Sequence, residues 1–375
     1  MAHLGYFRTE FVERRQWLDD NQYAQLVALA QLLPGPASSQ VGFALGMYRA
    51  GWAGGLCAFV AFTLPSIILM VLAAAALVDG SSNITYWVIH GLKLAAVAVV
   101  CQALVGMFSQ FCLSYRTCAI MLAGLIMMVL IHHPLAQLAV IAMGALAGGL
   151  LLRNSPMVLT PTPAFAHGSK TGWFLIALFG TLLICLPLVA SAWPEPATQM
   201  FDHLYRTGAL VFGGGHVVLP LLQDGVTQHG WISNNTFLAG YGAAQTLPGP
   251  LFSIAAYLGW LMPAGSGGVG GVVLAITAIF LPGFLLMGGV LPIWRQTLNN
   301  QAAAPLFASV VPGINAAVVG LLAAALINPL LSSSIGQWTD GVIAAIAFAF
   351  LYWLKLSPLL AVIWCVAVSL LLGLT

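Results

Sequence analysis

The tetrapeptide Leu-Pro-Gly-Pro occurs twice in the chain, at positions 33–36 and 247–250, and each copy interrupts an apolar segment. Proline removes an amide donor and clashes with the preceding turn, whereas glycine permits backbone dihedrals that other residues resist. Each copy therefore predicts a membrane-deep helix broken into two half-helices. The residues expected to form a site at these breaks are Pro34, Gly35, Pro36, Ser38, Ser39, Gln245, Pro248, Gly249, Pro250 and Ser253.

Broken helices of this kind suit an anion. The half-helix after the break begins with N–H groups that have no intrahelical acceptor, and its N-terminus carries a partial positive charge. Serine hydroxyls at this end add further donors. Non-helical backbone at this depth is tolerated only where it is packed in protein or lines a watery cavity. The alternative is that proline and glycine merely kink packed transmembrane helices.

Lys93 is the only basic residue well inside an apolar segment, and no carboxylate occurs in its helix. Burying an ammonium at the centre of a bilayer costs at least ~2.5 kcal/mol, so intramembrane cations usually have a functional partner. We therefore expect Lys93 to contact an anion. The alternative is snorkelling, in which the long side chain reaches lipid headgroups about 10 Å away along the helix.

Three consecutive glycines, Gly213, Gly214 and Gly215, precede His216. They predict a hinge or an anion-contacting break, with close helix packing as the alternative. The run lacks the Gly-Lys-Ser/Thr ending of a phosphate loop. His216 and His90, which lies one turn before Lys93, are the candidates for proton coupling because imidazole titrates near neutral pH, although core histidines are common.

Other ionisable and metal-binding residues give weaker signals. The nine acids are predicted to lie in loops or at the ends of spans, so no buried carboxylate relay is expected. The six cysteines show no CxxC spacing and are interpreted as small core residues, with no metal and no cofactor expected. The eleven Lys and Arg residues are scattered singly, which argues against a nucleic-acid partner.

The composition requires a lipid bilayer around these elements. Of 375 residues, 61% are hydrophobic and 5% are charged, and the mean hydropathy is +0.98. Apolar runs of helix length occur near 51–78, 86–109, 117–132, 135–152, 173–192, 204–222, 266–292, 305–328, 339–353 and 357–374. Continuous runs predict helices and not barrel strands. The expected fold is all-α, a polytopic transmembrane helical bundle.

The second half of the chain repeats the first. An offset of 214 aligns Trp17, Asn21, Ala30, Gln31 and residues 33–36 with identical residues. After a short insertion, Leu64, Pro65 and Gly91 match Leu281, Pro282 and Gly313, which places the neutral donor Asn315 at the position of Lys93. We expect a first repeat at 1–152, a polar linker with one connecting span at 153–199, and a second repeat at 200–375.

An odd number of crossings between the two Leu-Pro-Gly-Pro elements predicts inverted repeats. If these elements enter the membrane and return on the same side, the repeats are parallel. The alignment also sets Met1 opposite Gly215, so the second repeat has an upstream helix without a counterpart in the first. We expect this chain to begin downstream of the true start, with a naturally shortened first repeat as the alternative.

Several of these segments resemble the chromate ion transporter family in its long two-domain form, and the resemblance covers nearly the whole chain. They are residues 30–36, 51–55 with 64–66, 212–216 and 244–250. The resemblance implies a secondary active transporter that exports chromate across the bacterial inner membrane and confers chromate resistance, with sulfate as a related substrate. It implies no enzyme activity, and a homodimer is left open.

A tetrahedral dianion also fits the residues themselves. Two helix N-termini, each carrying roughly half a charge, would together with Lys93 offset two negative charges. The first alternative is a transporter of sulfate or another tetrahedral oxyanion in the same fold. A membrane-embedded enzyme such as a chromate reductase is the second, but the sequence shows no dinucleotide fingerprint, haem CxxCH motif or paired catalytic carboxylates.

Overall fold

The computed structural model describes residues 2–78, 83–131, 136–152, 169–212, 218–228, 230–247, 249–262, 267–298 and 303–374. Throughout these ranges every regular element is helical. Five helices are long and apolar enough to cross a membrane, at Ala37–Ala76, Tyr86–Phe111, Lys170–Ala192, Gly268–Ile293 and Ser309–Ser334. The expected all-α membrane bundle is confirmed.

The described residues of the first half form six α-helices, and a seventh helix connects this half to the second. They are α1 (Ala2–Arg8), which continues as a π-helical turn (Thr9–Arg14), α2 (Asp20–Leu32), α3 (Ala37–Val78), α4 (Asn83–Phe111), α5 (Tyr115–Leu130), α6 (Ala136–Leu151) and α7 (Ser169–Ala192).

The second half follows the same order. Its helices are α8 (Pro196–Leu210), α9 (Val218–Gln228), α10 (Asn234–Ala244), α11 (Ile254–Leu261), which follows the 3₁₀ turn Leu251–Ser253, α12 (Gly268–Leu298), α13 (Ala303–Ala325), which continues as the π-helical turn Leu326–Leu331, α14 (Ser332–Ser334), α15 (Trp338–Tyr352) and α16 (Pro358–Leu374). The continuous span expected near 204–222 is wrong, because α8 ends at Leu210 and a new helix begins at Val218.

Helix α3 is a hairpin of two helices. Ala50 and Gly51 leave the helical region, Gly51 with a φ of +61°. A Cβ on Gly46 would collide with the carbonyl of Gly54, although residues eight apart in a straight helix are ~12 Å apart. The second half repeats this arrangement between α11 and α12, where a Cβ on Gly259 would collide with the carbonyl of Gly271.

Helices α4 and α13 each pack against the opposite half. Helix α13 contacts α5 and α6, whereas α4 contacts α15 and α16. The two interfaces are equivalent: a Cβ on Gly313 would collide with the carbonyl of Gly144, and a Cβ on Gly91 would lie 2.6 Å from Cα of Val366. Gly313 lies 222 positions after Gly91, and Val366 lies 222 positions after Gly144. The halves are therefore interlocked, while the inverted orientation and the boundaries 1–152, 153–199 and 200–375 stay predictions.

Replacing Gly313 by alanine is expected to destabilise the protein, because the added methyl group would overpack the interface between α13 and α6. Overpacking costs typically 1–3 kcal/mol. The measurement is the unfolding temperature of the purified protein in detergent. The matched control is Gly270→Ala in α12, where an added Cβ meets nothing within 4 Å. Equal unfolding temperatures for the two variants would contradict the close packing.

Candidate functional site

The glycines of the two Leu-Pro-Gly-Pro turns share a positive φ. Gly35 has a φ of +122° and Gly249 has a φ of +137°, a region that side-chain-bearing residues rarely adopt. Helix α2 ends at Leu32 before the first turn, and α10 ends at Ala244 before the second. The expected broken helices are confirmed in both halves, and each turn is followed at once by a new helical segment.

Each turn docks against the opposite half of the chain. A Cβ on Gly35 would lie 3.2 Å from Cα of Gly283, and a Cβ on Gly249 would collide with the hydroxyl of Ser66. Ser66 and Gly283 occupy the same place in the repeat, directly after the Leu-Pro pairs at 64–65 and 281–282. Buried Gln40 fixes the first turn, since its Nε2 donates to the carbonyls of Pro34 at 2.8 Å and Gly283 at 3.2 Å.

A cavity of about 730 Å³ lies where the two turns approach each other. Its lining includes both turns and the centre of α13, and it continues along the C-terminal end of α4 to the start of α5. The polar and turn residues that line it are His3, Gln31, Leu33, Gly35, Pro36, Ser38, Gln110, Ser114, Thr117, Pro250 and Asn315. This volume is within the usual range for small-molecule pockets and exceeds the needs of one oxyanion, so the cavity is a vestibule.

Three helical segments begin at the cavity wall. Helix α3 begins at Ala37, and the 3₁₀ turn that leads into α11 begins at Leu251. At the start of α5, Ser114 and Thr117 line the cavity. The first-turn amides of a helix have no intrahelical acceptor, and the aligned peptide dipoles place partial positive charge there. At α5, Ser114 accepts a hydrogen bond from the Thr117 amide at 3.3 Å, which satisfies one of these donors.

The cavity wall is mostly apolar, with separate polar groups, and is almost free of formal charge. Among the described residues that line it, His3 is the one ionisable side chain. Asn315 is buried, and its Oδ1 has no hydrogen-bond partner within the described part of the chain. A half-turn of the amide group would present its NH₂ donors in place of this oxygen. The electrostatics of this wall therefore come from helix ends and neutral donors.

Lys93 does not line this cavity. Its ammonium lies 3.0 Å from Oδ1 of Asn235 at the start of α10 and 2.5 Å from the carbonyl oxygen of Ser333 in α14. The side chain is buried and bonded to protein acceptors, which argues against snorkelling to lipid headgroups. The structure thus separates Lys93 from the two turns, and its role as an anion ligand stays a prediction.

Two buried carboxylates were missed by the sequence analysis. Asp340, in the first turn of α15, lies 2.9 Å from Nε2 of His90 and accepts amide hydrogen bonds from Gly336 and Gln337. Asp202 lies inside α8 and pairs with Arg206, so the expectation that every acid lies in a loop or at the end of a span is wrong for Asp202. The i,i+4 spacing of Asp202 and Arg206 was the available signal.

The remaining expected site residues divide into two groups. Ser39 and Ser253 are buried behind the turns without lining the cavity, and Gln245 directly follows α10. Gly213, Gly214, Gly215, His216 and Pro248 lie outside the described residues. The cavity adds Thr117 and Gln110 to the site. No feature of the sequence distinguished these two residues from other polar residues at helix ends.

Comparison with known proteins identifies relatives in bacteria that align over most of the chain. A chromate transport protein of Cupriavidus metallidurans is 28% identical over 369 residues, which cover 94% of this chain and 83% of that protein. A probable chromate transport protein of Synechococcus elongatus is 27% identical over 333 residues, covering 87% and 79%. A chromate transport protein of Pseudomonas aeruginosa is 24% identical over 378 residues, covering 94% and 82%.

No solved structure matches this chain. A family model described as "Chromate transporter" matches it in two parts, at residues 1–149 and 198–374. These two segments correspond to the two halves that interlock through α4 and α13. The chain therefore belongs to the chromate transporter family.

Proposed function

We propose that this protein is a secondary active transporter that exports chromate from the cytoplasm across the bacterial inner membrane and thereby confers chromate resistance. The observation that carries the proposal is the cavity at which both Leu-Pro-Gly-Pro turns meet, lined by helix starts and by Asn315. The names of the relatives from Cupriavidus metallidurans and Pseudomonas aeruginosa support chromate as the substrate.

This cavity suits a tetrahedral dianion for electrostatic reasons. Each helix N-terminus contributes roughly half a positive charge, so the starts of α3, α5 and the segment leading to α11 attract an anion without a full ion pair. Oxyanions accept hydrogen bonds on every oxygen, and Ser38 provides a hydroxyl donor at the wall. The Thr117 hydroxyl instead donates to the carbonyl of Ser114 at 2.9 Å. A site built from dipoles and neutral donors holds its guest weakly enough to release it, which a transporter requires.

Sulfate or another tetrahedral oxyanion is the second candidate substrate, because sulfate has the same charge and shape as chromate. Among the described residues of the wall, no side chain distinguishes chromate from sulfate. An enzyme is not favoured, since the relatives are transport proteins. A homodimer and a proton-coupling role for His90 or His216 stay predictions.

The function is tested with everted membrane vesicles that contain the protein and with labelled chromate added outside. Saturable uptake that persists in excess sulfate, molybdate and phosphate is expected. The matched control is vesicles that contain the Gly35→Ala variant at the same protein level. Uptake that sulfate abolishes at equal concentration would favour the second candidate, and the absence of any saturable uptake of either ion would overturn the proposal.

A further inference from the structure

The cavity has a structural counterpart in the other half of the protein. Asn315 in α13 and Lys93 in α4 are related by an offset of 222, and both are buried. Helix α5 begins with a capping box of Ser114 and Thr117, and α15 begins with a capping box of Gln337 and Asp340, at an offset of 223. These two regions therefore occupy equivalent places in the two interlocked halves.

The two equivalent regions differ in how they are filled. Around Asn315, the residues of α4, α5 and α13 border the open cavity. Around Lys93, side chains bridge the corresponding elements: the ammonium binds the carbonyl of Ser333, and His90 of α4 binds Asp340 of α15 at 2.9 Å. Ser333 is the counterpart of Gln110, which lines the open cavity, at the same offset of 223.

We propose that the region around Lys93 is a second anion vestibule that opens when the cavity around Asn315 closes. In this conformation it is closed by the bonds of Lys93 to Ser333 and Asn235 and by the bond between His90 and Asp340. Once these bonds break, the Lys93 ammonium faces the vestibule as its fixed positive charge. This inference rests on the proposed transport function and on the inverted orientation of the halves, which places the two vestibules on opposite faces of the membrane.

The interlocked packing supplies the mechanical link. Helix α4 contacts α15 and α16, and α13 contacts α5 and α6, so a movement of either central helix changes its contacts with the opposite half. Glycine contacts hold both pairs close, at Gly91 in α4 and Gly313 in α13. Because the bond between His90 and Asp340 joins α4 to α15, the region around Lys93 opens when the start of α15 parts from α4, while Gly91 keeps α4 against α16. The C-terminal end of α4 also lines the cavity around Asn315, so the same rearrangement changes that cavity. Two discrete arrangements of such packed elements are the usual basis of alternating access.

The test uses two reporters at equivalent positions. Gln110→Cys and Ser333→Cys are made singly in a chain whose six cysteines are replaced by alanine, and a membrane-impermeant maleimide is added to right-side-out or everted vesicles. Gln110→Cys is expected to react from one face and Ser333→Cys to be protected. The substitution Ser333→Cys keeps the backbone carbonyl that Lys93 binds.

Breaking the closing bonds should reverse this pattern. With Lys93→Met or, separately, Asp340→Asn, labelling of Ser333→Cys is expected to rise about fivefold from the opposite face, while labelling of Gln110→Cys falls by a similar factor, as a population shift requires. Lys170→Met, at an exposed lysine near the start of α7, is the control and should change neither reporter. Hydrogen exchange of the segments around 110 and 333 in the wild-type cysteine background provides a second readout if a variant folds poorly.

Three results would overturn the inference: labelling of both reporters from the same face, a rise at 333 without a fall at 110, or no change in either variant. The outcome is separable from the proposed function. Reciprocal labelling without any transport of chromate or sulfate would sustain the two vestibules and remove the proposed substrate. Transport that persists without reciprocal labelling would sustain the function and remove the second vestibule.

Discussion

Replacing Gly35 by alanine is expected to reduce oxyanion transport strongly while the chain still inserts into the membrane. Gly35 has a φ of +122°, and an added Cβ would lie 2.9 Å from Nε2 of Gln40 and 3.2 Å from Cα of Gly283. A non-glycine residue in such a conformation costs about 1–3 kcal/mol before any neighbour moves. Because the turn lines the cavity, relief of this strain would displace both the cavity wall and the bond between Gln40 and Pro34.

The measurement is chromate uptake into everted vesicles, normalised to the amount of protein in the membrane. A loss of at least about tenfold is expected, since 1.4 kcal/mol corresponds to a factor of ten. Gly106→Ala is the matched control, because Gly106 also lines the cavity and an added Cβ there meets nothing within 4 Å. Similar uptake by the two variants would show that the conformation of the turn is not needed for transport.

Replacing Asn315 by aspartate is expected to lower oxyanion transport by about a hundredfold or more. The two side chains have nearly the same shape, so the change places a negative charge at a buried position of the cavity wall. Two like charges about 4 Å apart repel by roughly 4 kcal/mol near a protein surface, and a dianion is repelled more strongly. The reduced access of water at Asn315 limits the screening of this repulsion.

Asn315→Ala is the control for this variant, because it removes the amide without adding charge and should reduce transport by about tenfold or less, the value of one or two hydrogen bonds. Uptake of labelled chromate is measured at several pH values. Transport by the aspartate variant should recover in part at acid pH, where the new carboxyl takes up a proton. Unchanged transport in the aspartate variant would show that the anion does not pass Asn315.

Local sequence signals predicted the elements that position the site. Proline and glycine act on the backbone at their own positions, so the breaks at 33–36 and 247–250 followed from residue type alone, and the repeat made the two breaks equivalent. Hydrophobic run length predicted most of the spans. The length of the run near 204–222 was misleading by itself, since α8 ends at Leu210, three positions before the glycines at 213–215 that predict a break.

The partners of Lys93 and His90 could not be predicted in the same way. Asn235, Ser333 and Asp340 are all more than 140 positions away from Lys93, and tertiary packing brings them together. An alignment of the two repeats shows which residues are equivalent, but equivalence does not show whether they share one site. The expectation that Lys93 shares one anion site with both turns therefore assumed that they lie close together, which no local sequence pattern shows.

The exchange of helices between the halves has a consequence for biogenesis. Helix α4 is synthesised early, yet its glycine at position 91 packs against Val366 near the end of the chain. Contacts of such long sequence separation form late, since the intervening loop must close first. The small-residue faces of α4, α5 and α6 therefore stay unpacked in the bilayer until the later helices are synthesised and inserted. During this interval we expect the partly folded chain to be open to membrane proteases.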